Sequence, residues 1–410
     1  MMAEALGRRN LHAALKRVRQ NQGSPGIDGM TVEELPDWLR ENWPRVREQL
    51  LAGTYQPQPV LRQEIPKSGG GVRELGIPTV LDRFIQQALL QVLQPRIDPS
   101  FSEHSYGFRP GRRAHDAVIA AQRYIQEGRR WVVDLDLEKF FDRVHHDVLM
   151  DRLSRRIADP SVLRLIRRYL EAGVMVHGVK VERHAGTPQG GPLSPLLANV
   201  LLDEVDQELQ RRGHTFVRYA DDCNVYVRSR RAGERVMAWL VHAYGRLRLR
   251  INLAKSAVDL ATSRPLLGFA FWAGPGDRIR RRVAPEALSA MKDRVRRLTG
   301  RARGRSLRQV AADLRGYLPG WRSYFRLAET PGAFLRLDKW IRHRLRALQL
   351  THWKRGRTIY RELCARGLSA RTAAVVAANG RSRWRNSAMA IHIALPNSLF
   401  DELGVPRLAA

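Results

Sequence analysis

Two adjacent aspartates, Asp221 and Asp222, stand in the middle of a stretch that otherwise favours extended structure. Residues 216–227 place β-branched and aromatic side chains on both sides of this acidic centre, which predicts a β-hairpin with the carboxylates at its tip. Paired carboxylates suit Mg²⁺, a hard cation that usually takes one or two carboxylates together with substrate phosphates. The alternative is a solvated turn, since Asp-Asp pairs are common in turns.

A second acidic site precedes this one in the chain. Residues 131–137 form an apolar run interrupted by Asp134 and Asp136, and strand alternation places the two carboxylates on one face. Carboxylates within an apolar strand are costly unless they are paired or bind a metal ion. This strand is therefore a second candidate for metal ligands. Asp142, a few residues later, is expected to cap a helix.

Basic residues occur at two points where a nucleotide or nucleic acid would need them. Residues 65–78 predict a hairpin around three glycines, with Lys67 and Arg73 near its ends as a triphosphate clamp; a plain surface hairpin is the alternative. Arg109 and Arg112 lie in a basic loop with two aromatic residues. This loop predicts contact with a nucleic-acid strand, although a structural turn fits nearly as well.

The composition points to a polyanionic partner. The 410-residue chain is 44% hydrophobic, which predicts a globular protein, and its formal net charge is +31. Residues 278–410 alone hold 30 Lys or Arg against 8 Asp or Glu, a net charge of +22. Nucleic acid is the usual partner of so large an excess of one sign. Arg294 and Arg297 within this region, and Trp384 in an arginine-rich tail, are predicted contacts.

The elements that position these residues follow from apolar periodicity. We expect helices around residues 11–18, 32–51 and 81–92, strands at 247–256 and 266–269, and basic helices after residue 278. Ser306 with Gln309 predicts a capping box, and Thr330 with Pro331 predicts another helix start. The distant Cys223 and Cys364 argue against zinc knuckles and disulfides, and no apolar run is long enough to span a bilayer. A soluble protein in a reducing compartment is expected.

Taken in order, these segments resemble the reverse transcriptases encoded by bacterial group II introns. The resemblance covers nearly the whole chain and rests on Ile65-Pro66-Lys67, Leu75-Gly76-Ile77-Pro78, Tyr106-Gly107-Phe108-Arg109-Pro110, Asp136 with Phe140-Phe141-Asp142, Pro188-Gln189-Gly190-Gly191, Tyr219-Ala220-Asp221-Asp222 and Leu267-Gly268-Phe269. Residues 320–325 and 337–340 are similar to the maturase and thumb segment of the family. The end of the sequence near Ala410, without a Cys/His-rich nuclease domain, is similar to the short group IIC branch.

The resemblance implies roles for particular residues. Asp136, Asp221 and Asp222 would be catalytic, with Asp136, Leu137 and Asp221 as ligands of two Mg²⁺ ions roughly 4 Å apart; Asp134 shares their face, but the family's ligand matches Asp136. The nucleotide pocket would comprise Lys67, Arg73, Phe140, Phe141, Gln189 and Lys255. Phe141 would exclude a ribose 2′-hydroxyl. Lys255 would either protonate pyrophosphate or simply contact phosphate.

The implied fold is an α+β right-hand polymerase with an antiparallel palm sheet, a helical thumb and a small basic C-terminal domain. The expected boundaries are an N-terminal extension at 1–35, fingers at 36–130, palm at 131–275, thumb or maturase domain at 276–350 and a nucleic-acid-binding domain at 351–410. The reverse transcriptase domain would span about 46–271.

The implied activity is RNA-templated DNA synthesis with an RNA template, a DNA or RNA primer and dNTPs, together with binding of the parent intron RNA to assist splicing and mobility. One alternative is a maturase that only binds RNA, although all three carboxylates stand. Another is a reverse transcriptase recruited to defence or DNA repair. An RNA-templated RNA polymerase is opposed by the bulky Phe141. The resemblance also implies a bacterial cytoplasmic, nucleoid-associated location. The sequence leaves the oligomeric state open and indicates no membrane partner.

Overall fold

The computed structural model describes residues 1–66, 72–176, 179–181, 186–187, 190–300, 304–379, 382–388 and 391–409. The chain divides into two units, Met1–Arg264 and Pro265–Ala410, each with its own helices and strands. No helix in the described ranges is both long and apolar enough to cross a membrane.

The first unit alternates helices with short strands. Its helices are α1 (Met2–Ala5), α2 (Arg8–Gln20), α3 (Leu35–Ala52), α4 (Val80–Ile97), α5 (Ala114–Gln126), α6 (Phe140–Arg143), α7 (His146–Ser154), α8 (Pro160–Glu171), α9 (Ser194–Arg211) and α10 (Arg230–Arg246). Its strands are β1 (Val60–Pro66), β2 (Val72–Ile77), β3 (Trp131–Leu135), β4 (Val174–Val176), β5 (Val179–Val181), β6 (Thr215–Tyr219), β7 (Asp222–Val227) and β8 (Ala257–Leu260).

Two sheets organise this unit. The strand order β6-β7-β3-β8 is antiparallel throughout, so that β3 lies in the interior of the sheet between two strands from much later in the sequence. Helix α10 packs across β3, β7 and β8, whereas α5 and α9 contact β6. A side chain at Gly233 of α10 would meet Val258 of β8 at 2.5 Å, so glycine allows the helix to approach the sheet this closely.

The second sheet has the order β2-β1-β4-β5, with β1 and β2 antiparallel and β1 and β4 parallel. The β1–β2 pair is the hairpin predicted around the three glycines, with Pro66 opposite Val72. Its turn, including Lys67, lies outside the described residues, as does the side chain of Arg73.

The second unit consists of one strand pair and a series of helices. It contains β9 (Phe269–Ala273), β10 (Ile279–Val283), α11 (Pro285–Leu298), α12 (Leu307–Phe325), α13 (Pro331–His352), α14 (Gly356–Ala365), α15 (Ala370–Ala378), α16 (Arg383–Asn386), α17 (Ile391–Ala394) and α18 (Asn397–Glu402). The predicted capping box of α12 is confirmed, because Ser306 and Gln309 exchange hydrogen bonds. Helix α13 begins at Pro331 as predicted, but Thr330 forms no side-chain cap.

Several local predictions were wrong. Residues 247–256 do not form a strand, because α10 ends in a tight turn in which Arg248 has a φ of 59° and Leu249 N–H donates to Tyr244 O. The apolar alternation there comes from Leu247 and Leu249, both buried at that turn. Residues 266–269 form a turn closed by a Leu266–Phe269 bridge, and the strand starts only at Phe269. Asp142 lies inside α6 rather than at its cap.

Candidate active site

The tip of the β6–β7 hairpin carries the adjacent aspartates. Tyr219 pairs with Asp222 across the hairpin, which leaves Ala220 and Asp221 as the two turn residues. Ala220 has a φ of 58°, a left-handed conformation that a tight two-residue turn requires. The hairpin predicted from the sequence is therefore confirmed, with the carboxylates at its closed end.

The neighbouring strand β3 brings Asp136 to the same end of the sheet. Leu135 pairs with Cys223, so that Asp136 emerges beside Asp222. A loop from residues 252–256 holds this position: Asp136 N–H donates to Ser256 Oγ (3.0 Å) and Asn252 N–H donates to Asp136 O (2.8 Å). The ammonium group of Lys255, from the same loop, lies 3.8 Å from Asp136 Oδ2. The tertiary fold thus brings together Asp136, Asp222 and Lys255.

Asp134 lies near these groups, but both of its carboxylate oxygens already accept hydrogen bonds. Asn224 Nδ2 donates to its Oδ1 (2.9 Å) and Arg264 Nε donates to its Oδ2 (2.7 Å). Arg264 also donates to the carbonyl oxygen of Lys255 (2.7 Å). Burial raises the pKa of Asp134 above its ordinary value, although these hydrogen bonds oppose the shift. Through Arg264, Asp134 is therefore linked to the Lys255 loop, and its carboxylate is less available to a cation than that of Asp136.

The electrostatics of the hairpin tip favour a cation. Enclosure by the surrounding protein and the negative charges of Asp221, Asp136 and Asp134 raise the pKa of Asp222 to about 7, although the residue as a whole is exposed. No set of three or more His, Cys, Asp or Glu side chains in the described ranges is arranged as a metal-binding cluster. The donor chemistry of these carboxylates and their mutual repulsion nevertheless fit divalent cations.

Phe140 and Phe141 begin helix α6, directly after the Asp136 segment. Phe140 is buried and packs edge-to-face against Phe141, with ring centroids 5.1 Å apart. Phe141 is half-buried and lines a cleft of about 630 Å³ with Arg83, Phe108 and Gly190. The neighbouring loop is tied to the helix, since Thr187 N–H donates to Phe141 O (2.7 Å). Gln189, two residues after Thr187, lies outside the described residues.

Arg218 contacts the hairpin tip and was not among the residues predicted from the sequence. It lies within β6, fully buried, and its guanidinium pairs with Asp206, which is buried as well, at 2.7 Å. The same group donates to Asn199 Oδ1 (2.8 Å) and to the carbonyl oxygen of Ala220 (2.9 Å). Arg218 therefore fixes the turn that carries Asp221. Its alternation with apolar neighbours in a strand was the signal that could have revealed a buried charge.

Gly107 packs directly against this turn. A side chain at this position would meet the backbone nitrogen of Ala220 at 2.2 Å, and Gly107 O accepts a hydrogen bond from buried Asn199 (2.9 Å). Tyr106 N–H donates to Arg218 O (2.8 Å) on the same stretch. The loop that contains Tyr106 and Gly107, predicted to contact nucleic acid, thus packs against the hairpin tip.

The residues predicted to contact nucleic acid differ in how exposed their side chains are to a partner. Arg109 is buried, and its guanidinium is bound to Asp98, Ser102 O and Ser105 O, which supports the structural-turn alternative over a nucleic-acid contact. Arg112 is half-buried, donates to Glu103 O and lies 5.6 Å from the Tyr106 ring. In the second unit, Arg294 and Arg297 are exposed on α11. Trp384 is 40% exposed and stacks on His343.

We expect Arg264→Gln to lower the rate of the reaction at this site about ten- to hundredfold, because Asp134 and the Lys255 loop lose their common tether and the reacting groups shift. The effect should appear in kcat more than in KM. Arg264→Lys should restore part of the rate, since lysine can still pair with Asp134. A stability loss without any change in kcat would contradict a positioning role.

The chain matches two family models. Residues 65–271, about half of the chain, match the reverse transcriptase (RNA-dependent DNA polymerase) family. Residues 288–366 match the maturase-specific domain of group II introns. With the carboxylate-bearing hairpin and its neighbouring strand, these matches mean that the chain belongs to the reverse transcriptase family. The predicted likeness to group II intron-encoded reverse transcriptases and the predicted α+β polymerase fold are confirmed.

Individual relatives match the same part of the chain. Protein YkfC of Escherichia coli is 40% identical over 46% of this chain and 51% of its own length. The group II intron-encoded protein LtrA of Lactococcus lactis is 36% identical over 48% of this chain and 33% of its own length. The chain thus spans about half or less of the length of these curated relatives. A solved structure, the partial Cas6-RT-Cas1–Cas2 complex, is 27% identical over 55% of this chain and 38% of that chain, with a TM-score of 0.38.

Proposed function

We propose that the chain is an RNA-directed DNA polymerase that copies an RNA template from a DNA or RNA primer with dNTPs. The observation that carries the proposal is the convergence of Asp136 with the Asp221–Asp222 hairpin tip in a chain of the reverse transcriptase family. Two strands from distant parts of the sequence supply carboxylates at one end of one sheet. Nucleotidyl transfer needs such an arrangement.

Asp136, Asp221 and the backbone of Leu137 would hold two Mg²⁺ ions, with Asp222 in support. When bound, such ions supply activation of the primer 3′-hydroxyl and stabilisation of the leaving pyrophosphate. Lys255, 3.8 Å from Asp136, is positioned to contact the phosphates or to donate a proton to the pyrophosphate. In this proposal the nucleotide pocket is completed by Lys67, Arg73 and Gln189. Phe140 holds the ring of Phe141 in place by packing against it.

The direct test is primer extension by the purified chain. An RNA template annealed to a DNA primer should be extended with dNTPs and Mg²⁺, and extension should stop when EDTA is added. A purified, folded chain that binds the template–primer but adds no nucleotide under any divalent cation would overturn the polymerase proposal.

We propose that Phe141, whose half-buried ring lines the cleft, selects dNTPs by excluding a ribose 2′-hydroxyl. We expect Phe141→Ala to raise the kcat/KM for rNTPs relative to dNTPs about tenfold or more. Phe108→Ala is the matched control, since Phe108 lines the same cleft and this variant also replaces a phenyl ring by a methyl group. An unchanged rNTP-to-dNTP ratio in Phe141→Ala, or an equal change in both variants, would remove Phe141 from this role.

A second function is supported by the match of residues 288–366 to the maturase-specific domain. We propose that the chain also binds its intron RNA and assists splicing, using the basic helices of the second unit. Exposed arginines such as Arg294 and Arg297 suit the phosphates of folded RNA, and Trp384 suits an unpaired base. The test is splicing of the intron that flanks the gene at low Mg²⁺, with and without protein. If the protein neither binds this RNA above bulk RNA nor speeds splicing, a reverse transcriptase recruited to defence or DNA repair becomes the better account.

A further inference from the structure

A basic cleft lies at the opposite end of the β6-β7-β3-β8 sheet from the carboxylates. It is formed where β6 begins after His214, where β7 ends at Val227 and where α10 carries Trp239, and its volume is about 420 Å³. Val227 is five residues along β7 from Asp222, which corresponds to about 17 Å at the rise of an extended strand. A group in this Trp239 cleft is therefore remote from the reacting atoms.

The lining of the Trp239 cleft is strongly basic. It includes Arg129, Arg212, Arg228 and Arg235, and no acidic residue lines it among those described. Arg129 and Arg212 bind Glu127 and Glu208 outside the cleft, at 2.5 and 2.7 Å.

Two of the four arginines have no ion-pair partner among the described residues. Arg228 and Arg235 are exposed and have no ion-pair partner within the described ranges. Unpaired guanidinium groups that converge on one concave surface repel each other, and a phosphate group bound between them relieves this repulsion. The charge pattern of the cleft thus favours an anion that bears phosphate.

The Trp239 cleft also contains an aromatic ring and apolar surface, which binding of a simple anion would not require. The indole of Trp239 is half-buried, and the guanidinium of Arg212 lies 4.6 Å from its ring centroid. Val227 and Val236 supply apolar surface beside this stacked pair. Flat aromatic and guanidinium surfaces stack on nucleobases, and such stacking tolerates any base sequence.

We propose that the Trp239 cleft binds a segment of single-stranded polynucleotide outside the polymerase site, with phosphates on Arg228 and Arg235 and one unpaired base against Trp239 and Arg212. This inference goes beyond the proposed function, because a template–primer engaged at the carboxylates does not need this surface. The segment bound here would be a second strand or a distant part of the same molecule.

The first experiment measures binding when the polymerase site is filled. The chain is stalled on a template–primer with a chain-terminated primer and the next dNTP, and a labelled 12-nucleotide oligouridine is then titrated by fluorescence anisotropy at several salt concentrations. We expect a further molecule to bind, and Arg228→Gln/Arg235→Gln to weaken it about tenfold. This variant should also lower the log–log salt slope by about 1.4, since each phosphate contact to a single strand contributes about 0.7.

The matched control is Arg230→Gln/Arg231→Gln, which removes the same charge from two residues at the start of α10 that do not line the cleft. It should leave both affinity and salt slope close to those of the unmodified chain. Equal weakening by the two double variants, or no binding of oligouridine to the stalled complex, would overturn the proposal. Thermal unfolding of every variant confirms that it is folded.

The second experiment locates the base without requiring polymerase activity. An oligonucleotide with one 5-iodouridine is irradiated with the chain, and the crosslinked peptide is identified by mass spectrometry. A crosslink at Trp239 that is lost in Trp239→Leu supports the proposal, and RNA and DNA forms of the oligonucleotide are compared as alternative sources of the strand. Crosslinks confined to other peptides, or equal competition by an acidic peptide of the same net charge, would overturn it.

Discussion

Replacing Asp221 by asparagine is expected to lower primer extension by about three orders of magnitude or more. The substitution keeps the size and turn preference of the residue but removes a negative charge from the hairpin tip, where Asp221, Asp222 and Asp136 together repel one another. Loss of several kcal/mol of metal-dependent transition-state stabilisation corresponds to a rate loss of this size. Single-turnover extension of a DNA primer on an RNA template measures it.

The control for Asp221→Asn is Asp259→Asn, because Asp259 lies on β8 of the same sheet, opposite Val132 and away from the hairpin tip. This variant should extend primers at close to the unmodified rate. Binding of RNA and assistance of splicing should survive in Asp221→Asn, since neither needs nucleotidyl transfer. Extension by Asp221→Asn at near the unmodified rate would remove Asp221 from the catalytic site.

Replacing Arg218 by methionine is expected to lower the free energy of unfolding by about 3–5 kcal/mol, because Asp206 is then left as an unpaired buried charge. Burial already raises the pKa of Asp206, and removal of Arg218 will raise it further. The buried carboxyl can then take up a proton as the pH falls. The destabilisation should therefore be smaller at pH 5 than at pH 8, as measured by urea unfolding at the two pH values.

The double variant Arg218→Met/Asp206→Leu separates the structural effect from the catalytic one. Replacing both members of a buried ion pair by apolar residues is often neutral for stability, so most of the lost stability should return. Primer extension should remain strongly reduced, because Ala220 O and Asn199 have still lost the donor that fixes the turn. Recovery of both stability and activity would show that Arg218 has no role in holding the tip.

The candidate catalytic carboxylates were easier to predict from the sequence than the side chains that hold them in position. The hairpin with Asp221 and Asp222 could be predicted because strand propensity and turn chemistry are local. Asp134 and Asp136 were equally conspicuous as carboxylates in an apolar run, and only the family resemblance singled out Asp136. Arg264 could not be predicted, since it reaches Asp134 from 130 residues away. A single arginine in a surface-like sequence gives no sign of such a contact.

The same reason explains the wrong local predictions. Leu247 and Leu249 alternate as strand residues do, but they alternate because a left-handed Arg248 turns the chain between two buried positions. Arg109 looked like a surface cation because its loop is basic, whereas the fold surrounds it with Asp98 and two carbonyl groups. Tertiary packing decided these positions, and its signal is absent from a short window of sequence.

The interior position of β3 has a consequence for the synthesis of the chain on the ribosome. The partner strand β7 begins 87 residues after β3 ends, and β8 is made later still. At about 5–20 residues per second, the ribosome needs about 4–17 s to make the residues between β3 and β7. During that interval the nascent β3 segment has unpaired backbone N–H and C=O groups along both edges, between apolar side chains, and such edges are prone to aggregate. Expression at lower temperature or with more chaperone should therefore raise the soluble yield more than any change to the exposed surface of the finished protein.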